Sequence, residues 1–409
     1  MSEAATDVQG ASPRRKLGLL MCTALVVGNM IGSGVFLLPA SLARFGGISI
    51  VGWLVSAAGA ICLALVFARL GHVLPRTGGP YAYARAGFGD FGGFLVAWAY
   101  WISMWTTNAA LSVAFVSYMT VFVPSFNDVP VLGGSAALAA IWLLTAVNVI
   151  GVRPAGFVTL VTTVLKLLPL VAITIIGLFF FDGTHFRPFN ASGGGAFPAI
   201  SATVTLTLWA FLGLESGTVP AGEVVDPERT IPRATIVGTL IATTVYILGT
   251  VAVMGLIEPA QLVSSTAPFA DAARLILGPW GAYLVAAGAA ISCFGALNGW
   301  ILLSGQLPLA AARDGVLPAP LARLGPRGTP VFGIVLSSVI SSALVALNYT
   351  RGLVDAFTFM ILLATLATLI PYVFSSMAVL LVRPAGQRDA RAVTGAGIWV
   401  VATLAFLYA

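Results

Sequence analysis

Charge is what this sequence has least of. Only 8% of its 409 residues are Asp, Glu, Lys or Arg, against roughly 25% in soluble domains. Such a chain has too little polar surface to cover itself in water. Histidine is nearly absent too: His72 and His185 both fall in loops, which leaves no material for a His-based metal site or catalytic triad and argues against an intramembrane hydrolase. The three cysteines, Cys22, Cys62 and Cys293, lie inside apolar runs with neither metal-ligand spacing nor a disulfide framework. They read as small buried hydrophobes. Strict apolar/polar alternation is also missing, which argues against a β-barrel.

What is present is apolar length. Hydrophobic residues make up 59% of the chain and the mean hydropathy is +1.00. Runs of roughly 20 residues, enough to cross a hydrocarbon core of about 30 Å, recur throughout. The predicted spans are 18–42, 47–69, 91–122, 131–151, 156–180, 198–220, 234–257, 279–312, 331–348, 354–382 and 392–409. The fold class is therefore an all-α, polytopic membrane protein. Residues 1–17 open with the small and polar MSEAATDVQGASP and read as a cytoplasmic disordered tail; no cleavable signal is recognisable. With the N-terminus inside, fifteen loop Lys and Arg residues fall on the cytoplasmic side and four (Arg44, Arg187, Arg274, Arg351) outside. That asymmetry fixes the predicted orientation. The net charge of +6 then reflects the inner leaflet and gives no reason to expect nucleic acid.

Once the loops are subtracted, one base and one acid remain at membrane depth: Lys166 in TVLKLLPLV and Glu215 in LWAFLGLES. A charge at the bilayer centre costs about 2.5–3.5 kcal/mol even on lenient scales, so it normally faces a cavity or a partner. The plainer reading is an ion pair between the two, or a lysine that snorkels to an interface. The functional one is a carboxylate that holds a substrate ammonium or guanidinium or carries a proton, and a lysine that fills a cation site or titrates.

The first span contains VVGNMIGSGVFLLP, with Gly32-Ser33-Gly34 at its middle, and the sixth contains AFLGLESG (210–217). A broken first helix and a broken sixth helix divide the chain into halves of five helices with opposite orientation, predicted as 18–180 and 198–382. Inverted-repeat transporters place substrate between such breaks, at the midplane. Past Gly34 a new half-helix begins, and its free N–H groups suit a carboxylate, with Ser33 adding a hydroxyl; the alternative is that small residues merely allow close packing. Tyr100, Trp101, Trp209, Phe211, Trp300 and Tyr372 lie within spans, where aromatic faces hold cations or serve as gates.

These stretches, with GGPYAYARAGFG (78–89), DPERTIPRATIVGTLIA (226–242), SSTAPFADAAR (264–274) and GALNGWILLSGQLPLAAARDGVLP (295–318), resemble the amino acid–polyamine–organocation superfamily. The likeness is greatest to its basic amino acid/polyamine antiporters, the arginine/agmatine exchangers above all. The resemblance implies a five-plus-five inverted-repeat, LeuT-like fold with discontinuous helices 1 and 6, no cofactor, and a place in a bacterial inner membrane. It implies sodium-independent exchange of arginine, lysine or ornithine for agmatine, cadaverine or putrescine. Ser33 and Gly34 would receive the α-carboxylate, and carbonyls near Met30, Trp209 and Leu212 the α-amino group. Trp209 would stack on the substrate chain, and Trp300 with Tyr372 would close the two sides. Tyr100 and Glu215 would form a lower gate, Asn108 would reach the distal end, and Tyr81 would match a pH-linked position.

Three departures accompany the likeness. Ser103, Met104, Leu111 and Ala364 differ around the distal pocket, so lysine, ornithine or a neutral amino acid stays open beside arginine. Lys166 is similar instead to a fifth-helix lysine of sodium-independent transporters, where an ammonium stands in for sodium; this keeps a proton-coupled uptake permease open as the alternative. Finally, 392–409 reads as a truncated eleventh helix. The part beyond it in the family looks like the region that supports a homodimer, which leaves dimerisation open. A non-transporting sensor or a channel has less in its favour: there is no appended signalling domain, and no charged ring or polar pore.

Overall fold

In a computed structural model, residues 18–76, 78–150, 155–219, 221, 224–348, 352–382 and 396–409 are described. The tail at 1–17 and the basic positions Arg153, Arg351, Arg383, Arg388 and Arg391 lie outside them. Helices occupy every predicted span: α1 (Leu19–Met30), α2 (Gly34–Ala43), α3 (Ile48–Val73), α4 (Pro80–Met119), α5 (Ser125–Asp128), α6 (Pro130–Ile150) and α7 (Ala155–Leu178). They continue as α8 (Ala196–Leu208), α9 (Pro227–Leu256), α10 (Pro259–Leu262), α11 (Pro268–Arg313), α12 (Val331–Asn348), α13 (Leu353–Leu381) and α14 (Ala396–Tyr408). Among the described residues, eight stretches are both long and apolar enough to cross a bilayer, and α7 and α14 supply shorter apolar ones. The span within α4 has the length, but WAYWISMWTTN (98–108) loads it with rings, hydroxyls and an amide. Large apolar side chains such as Trp280, Phe91 and Leu20 are 84%, 77% and 75% exposed. In a membrane protein that surface meets lipid.

Two helices begin well before their predicted spans. α4 starts at Pro80 and turns at Gly89 (φ 74°, ψ −168°); α11 starts at Pro268 and turns at Gly278 (φ 70°, ψ −165°). Arg85 and Asp90 in the one, and Asp271 and Arg274 in the other, interrupt the apolar pattern and hide these leading segments from a hydropathy reading. At 40 residues α4 would be about 60 Å long if straight, twice a hydrocarbon core. The kink lets its first turns leave the spanning direction.

Both predicted breaks are present. α1 ends at Met30, Ile31 leaves the helical region (φ −79°, ψ 76°), and α2 resumes at Gly34. α8 tightens into a 3₁₀ turn at Trp209–Phe211, Leu212 is extended (ψ 133°), and Gly213 has φ +103° before a second 3₁₀ turn at Ser216–Thr218. The breaks touch. A Cβ on Gly34 would sit 3.2 Å from Ala210, and one on Gly213 would sit 3.1 Å from the Asn29 backbone. Glycine is needed at 213 twice over, for this approach and for a φ that other residues rarely adopt. Around this crossing α4 packs on α11 and α13, α3 on α8 and α9, and α7 on α11.

Candidate substrate site

Where the breaks cross, Asn29, Met30, Gly32, Ser33, Gly34, Thr107, Leu111, Trp209, Leu212 and Trp300 enclose a cavity. Its empty volume is about 240 Å³, and the side chains that line it are buried.

The cavity and its surroundings concentrate unused polarity. Ser33 Oγ, Thr107 Oγ1 and both amide atoms of Asn108 are buried without a hydrogen-bond partner among the described residues. Buried polar groups are almost always paired, because an orphan costs about 1–3 kcal/mol. The start of α2 faces the break; Ser33 O takes Phe36 N–H and Leu37 N–H (3.1 Å each), and the N–H groups that precede them have no intrahelical acceptor. On the opposite side Met30 O accepts from Gly32 N (2.9 Å) and Trp209 O from Leu212 N (3.1 Å). Each carbonyl keeps a second lone pair. Donors for an anion and acceptors for a cation therefore stand at one place, with two indoles in the wall.

Glu215 and Lys166 do not form the ion pair open to them on paper; each has other partners. Tyr100 OH donates to Glu215 Oε1; Tyr372 OH (2.8 Å) and Gly213 N–H (3.2 Å) donate to Oε2. This buried cluster ties α4 and α13 to the second break. Lys166 Nζ donates to Gly28 O (2.6 Å) and Ile31 O (2.5 Å), the carbonyls at the end of α1. Ser292 Oγ on α11 donates to Ile31 O (3.2 Å) and Gly32 O (3.1 Å). An ammonium on helix-terminal carbonyls is the favourable sense for the helix dipole.

Of the residues singled out in the sequence, Met30, Ser33, Gly34, Trp209, Leu212 and Trp300 line the cavity, and Tyr100, Glu215 and Tyr372 form one hydrogen-bonded group. Asn108 is buried but is not among the lining residues, whereas its neighbour Thr107 is. Asn29, Thr107 and Ser292 escaped notice; adjacent polar residues in WTTN were the available signal for Thr107. Of the distal set, Leu111 lines the cavity, whereas Ser103 is bonded to Thr368 (2.5 Å). Tyr81 belongs elsewhere. Its hydroxyl donates to Asp314 Oδ2 (2.8 Å), which also takes Arg85 Nη1 (2.9 Å), joining the start of α4 to the end of α11. Burial and Asp314 both push the Tyr81 hydroxyl far above the usual phenol value.

Helices broken at their midpoints, meeting at a buried pocket with hydroxyls and indoles in its wall inside an apolar bundle, define a multi-pass secondary transporter. The chain belongs to the amino acid permease family, whose model matches residues 17–409. It is similar to the cadaverine/lysine antiporter of Escherichia coli (strain K12), at 40% identity over 370 residues covering 89% of this chain and 83% of that protein. It is similar also to the putrescine transporter PotE of the same strain, at 33% over 369 residues covering 90% and 84%. The chain is a transporter and not an enzyme.

Proposed function

We propose that this protein exchanges a cationic amino acid for the amine formed by its decarboxylation, with lysine and cadaverine the first pair to test and arginine or ornithine with agmatine or putrescine the others. The carrying observation is the crossing of the two breaks, where the unpaired hydroxyls of Ser33 and Thr107 and break carbonyls with a spare lone pair meet at one cavity. Ser33 and the first N–H groups of α2 take the α-carboxylate; carbonyls of Met30, Trp209 and Leu212 take the α-ammonium. Trp209 stacks on the aliphatic chain, and Thr107 with Asn108 reaches the distal end. Trp300 closes one side of the site, and Tyr100, Glu215 and Tyr372 the other. Lys166 supplies at the end of α1 the positive charge that sodium supplies elsewhere, which makes the cycle sodium-independent. The amine carries one more positive charge than the amino acid, so each turn exports charge equivalent to a proton.

The moving parts are inverted repeats at 18–180 and 198–382. The matched kinks at Gly89 and Gly278 support that division, each in the third helix of its half. An N-terminus on the cytoplasmic side of a bacterial inner membrane, and a homodimer, belong to the same proposal. Proteoliposomes loaded with lysine, cadaverine, arginine, agmatine, ornithine or putrescine, or left empty, test it with labelled lysine outside. Uptake only against a loaded cationic partner is expected. Uptake into empty vesicles that follows an imposed pH gradient would replace exchange with proton-coupled uptake. That second reading draws on Glu215, a buried carboxylate placed to carry a proton.

A further inference from the structure

Glu215 is not the last polar group along its side of the bundle. On α13, Ser375 and Ser376 follow Tyr372 by three and four residues. At about 100° per residue they point within about 60° of the tyrosine, roughly 5 Å further along the helix. Both hydroxyls are buried with no hydrogen-bond partner among the described residues, and the same holds for Ser216 Oγ, next to Glu215, and for Tyr83 OH on α4. Phe67 packs between the two tyrosines: its ring centroid lies 5.6 Å from that of Tyr372 and 6.4 Å from that of Tyr83. Tyr83 OH stands beside the Thr218 hydroxyl, which itself donates to Glu215 O (2.6 Å), so the Tyr83 lone pairs stay available to a further donor.

Serines in helices ordinarily return their hydroxyl to the carbonyl one turn back, as Ser337, Ser338, Ser341 and Ser342 do on α12. Ser375 and Ser376 do not. Hydroxyls from α4, α13 and the second break thus offer free lone pairs beyond a carboxylate gate. A primary ammonium has three donors and no acceptor, and such lone pairs can take all three.

We propose that Tyr83, Ser216, Ser375 and Ser376 form a second, transient station for a primary ammonium, on the far side of the Tyr100–Glu215–Tyr372 gate from the central cavity. The amine leaving the cavity is held there between opening of the gate and release. This rests on the exchange reading and adds a subsite to it. The station lies toward the face that carries the start of α4 and the end of α11, cytoplasmic in the proposed orientation.

The test compares exchange from the two faces, using intact cells and everted membrane vesicles of a strain without its own lysine/cadaverine exchanger. Labelled cadaverine is the probe. Removing two hydroxyl acceptors in Ser375→Ala/Ser376→Ala is expected to raise KM about tenfold for cadaverine presented at the cytoplasmic face. KM from the opposite face, and Kd at the central site of the purified protein, should stay within about twofold. Ser375→Thr/Ser376→Thr, which keeps the hydroxyls, should restore the cytoplasmic KM. Equal changes at both faces, or a lowered central affinity, would make the serines part of general packing and overturn the station. So would an unchanged KM in an active double variant. Wild-type protein that exchanges neither lysine nor cadaverine would refute the exchange reading itself, and the station with it.

Discussion

Lys166→Met separates a lysine that shapes the site from one that merely sits in the membrane. The substitution keeps most of the apolar stem and removes the ammonium that reaches Gly28 O and Ile31 O at 2.6 and 2.5 Å. Hydrogen bonds from a charged donor are worth about 1.5–3 kcal/mol each, so roughly 3–6 kcal/mol of favourable contact is lost. Against this, the variant no longer buries a charge whose desolvation costs several kcal/mol. The two nearly offset in folding, and thermal stability of the purified protein should change little. They do not offset at the break, where Gly28 O loses the lysine as its donor at about 1–3 kcal/mol and Ile31 O keeps only the longer bond from Ser292 Oγ. Since Ile31 adjoins the Gly32-Ser33-Gly34 turn, affinity for lysine and cadaverine should fall about ten- to a hundredfold, an energy of one such carbonyl. Ser292→Ala, which gives up longer and uncharged bonds at 3.1–3.2 Å, should cost less than about tenfold. Both residues donate to Ile31 O, so the double variant should deviate from additivity by about 0.5–3 kcal/mol. Equilibrium binding in detergent reads all three variants. A Lys166→Met protein with wild-type Kd, or one that loses only stability, would refute the reasoning. Strict additivity would show that the two side chains do not act through a shared carbonyl.

Three further outcomes follow from the geometry. Glu215→Gln removes the charge from an acceptor of two tyrosine hydroxyls and so weakens the cluster by about 2 kcal/mol. Cadaverine affinity or the pH profile of exchange should change, and a variant unaltered in both would take Glu215 out of the mechanism. Gly34→Ala drives a methyl to 3.2 Å from Ala210 and 3.3 Å from Trp209. Overpacking of that kind costs about 1–3 kcal/mol; binding should weaken while Gly18→Ala, with nothing within 4 Å, stays neutral, and equal Kd values for the two would be evidence against the crossing described. Tyr81 keeps its proton in the folded protein beyond the pH at which an unfolded tyrosine loses it, because burial and Asp314 both raise it. Its contribution is therefore complete below about pH 10 and declines only above. Tyr81→Phe should leave the midpoint of the exchange profile between pH 5 and 9 in place, and a displaced midpoint would show that the hydroxyl takes part in the titration.

The helices, the breaks and the two charges at membrane depth are all legible in residue order alone. Composition left no other class open: a chain with so few charges must put its apolar runs in lipid, and each run must then satisfy its backbone internally. Gly32-Ser33-Gly34 and Gly213 announced the breaks because local flexibility is written in residue type. Lys166 and Glu215 stood out because ionisable groups at that depth are rare. The partners were decided only by tertiary structure. Nothing in TVLKLLPLV says that the ammonium ends on Gly28 and Ile31, 138 and 135 residues away, or that Ser292 meets the same carbonyl from α11. The leading segments of α4 and α11 were hidden because their charges mask an apolar pattern that continues past the kink. Whether Thr107 or Asn108 enters the cavity depends on the rotation of α4, which packing against α11 and α13 sets. A sequence names the residues that cannot rest in lipid; where they come to rest is fixed by which helices cross.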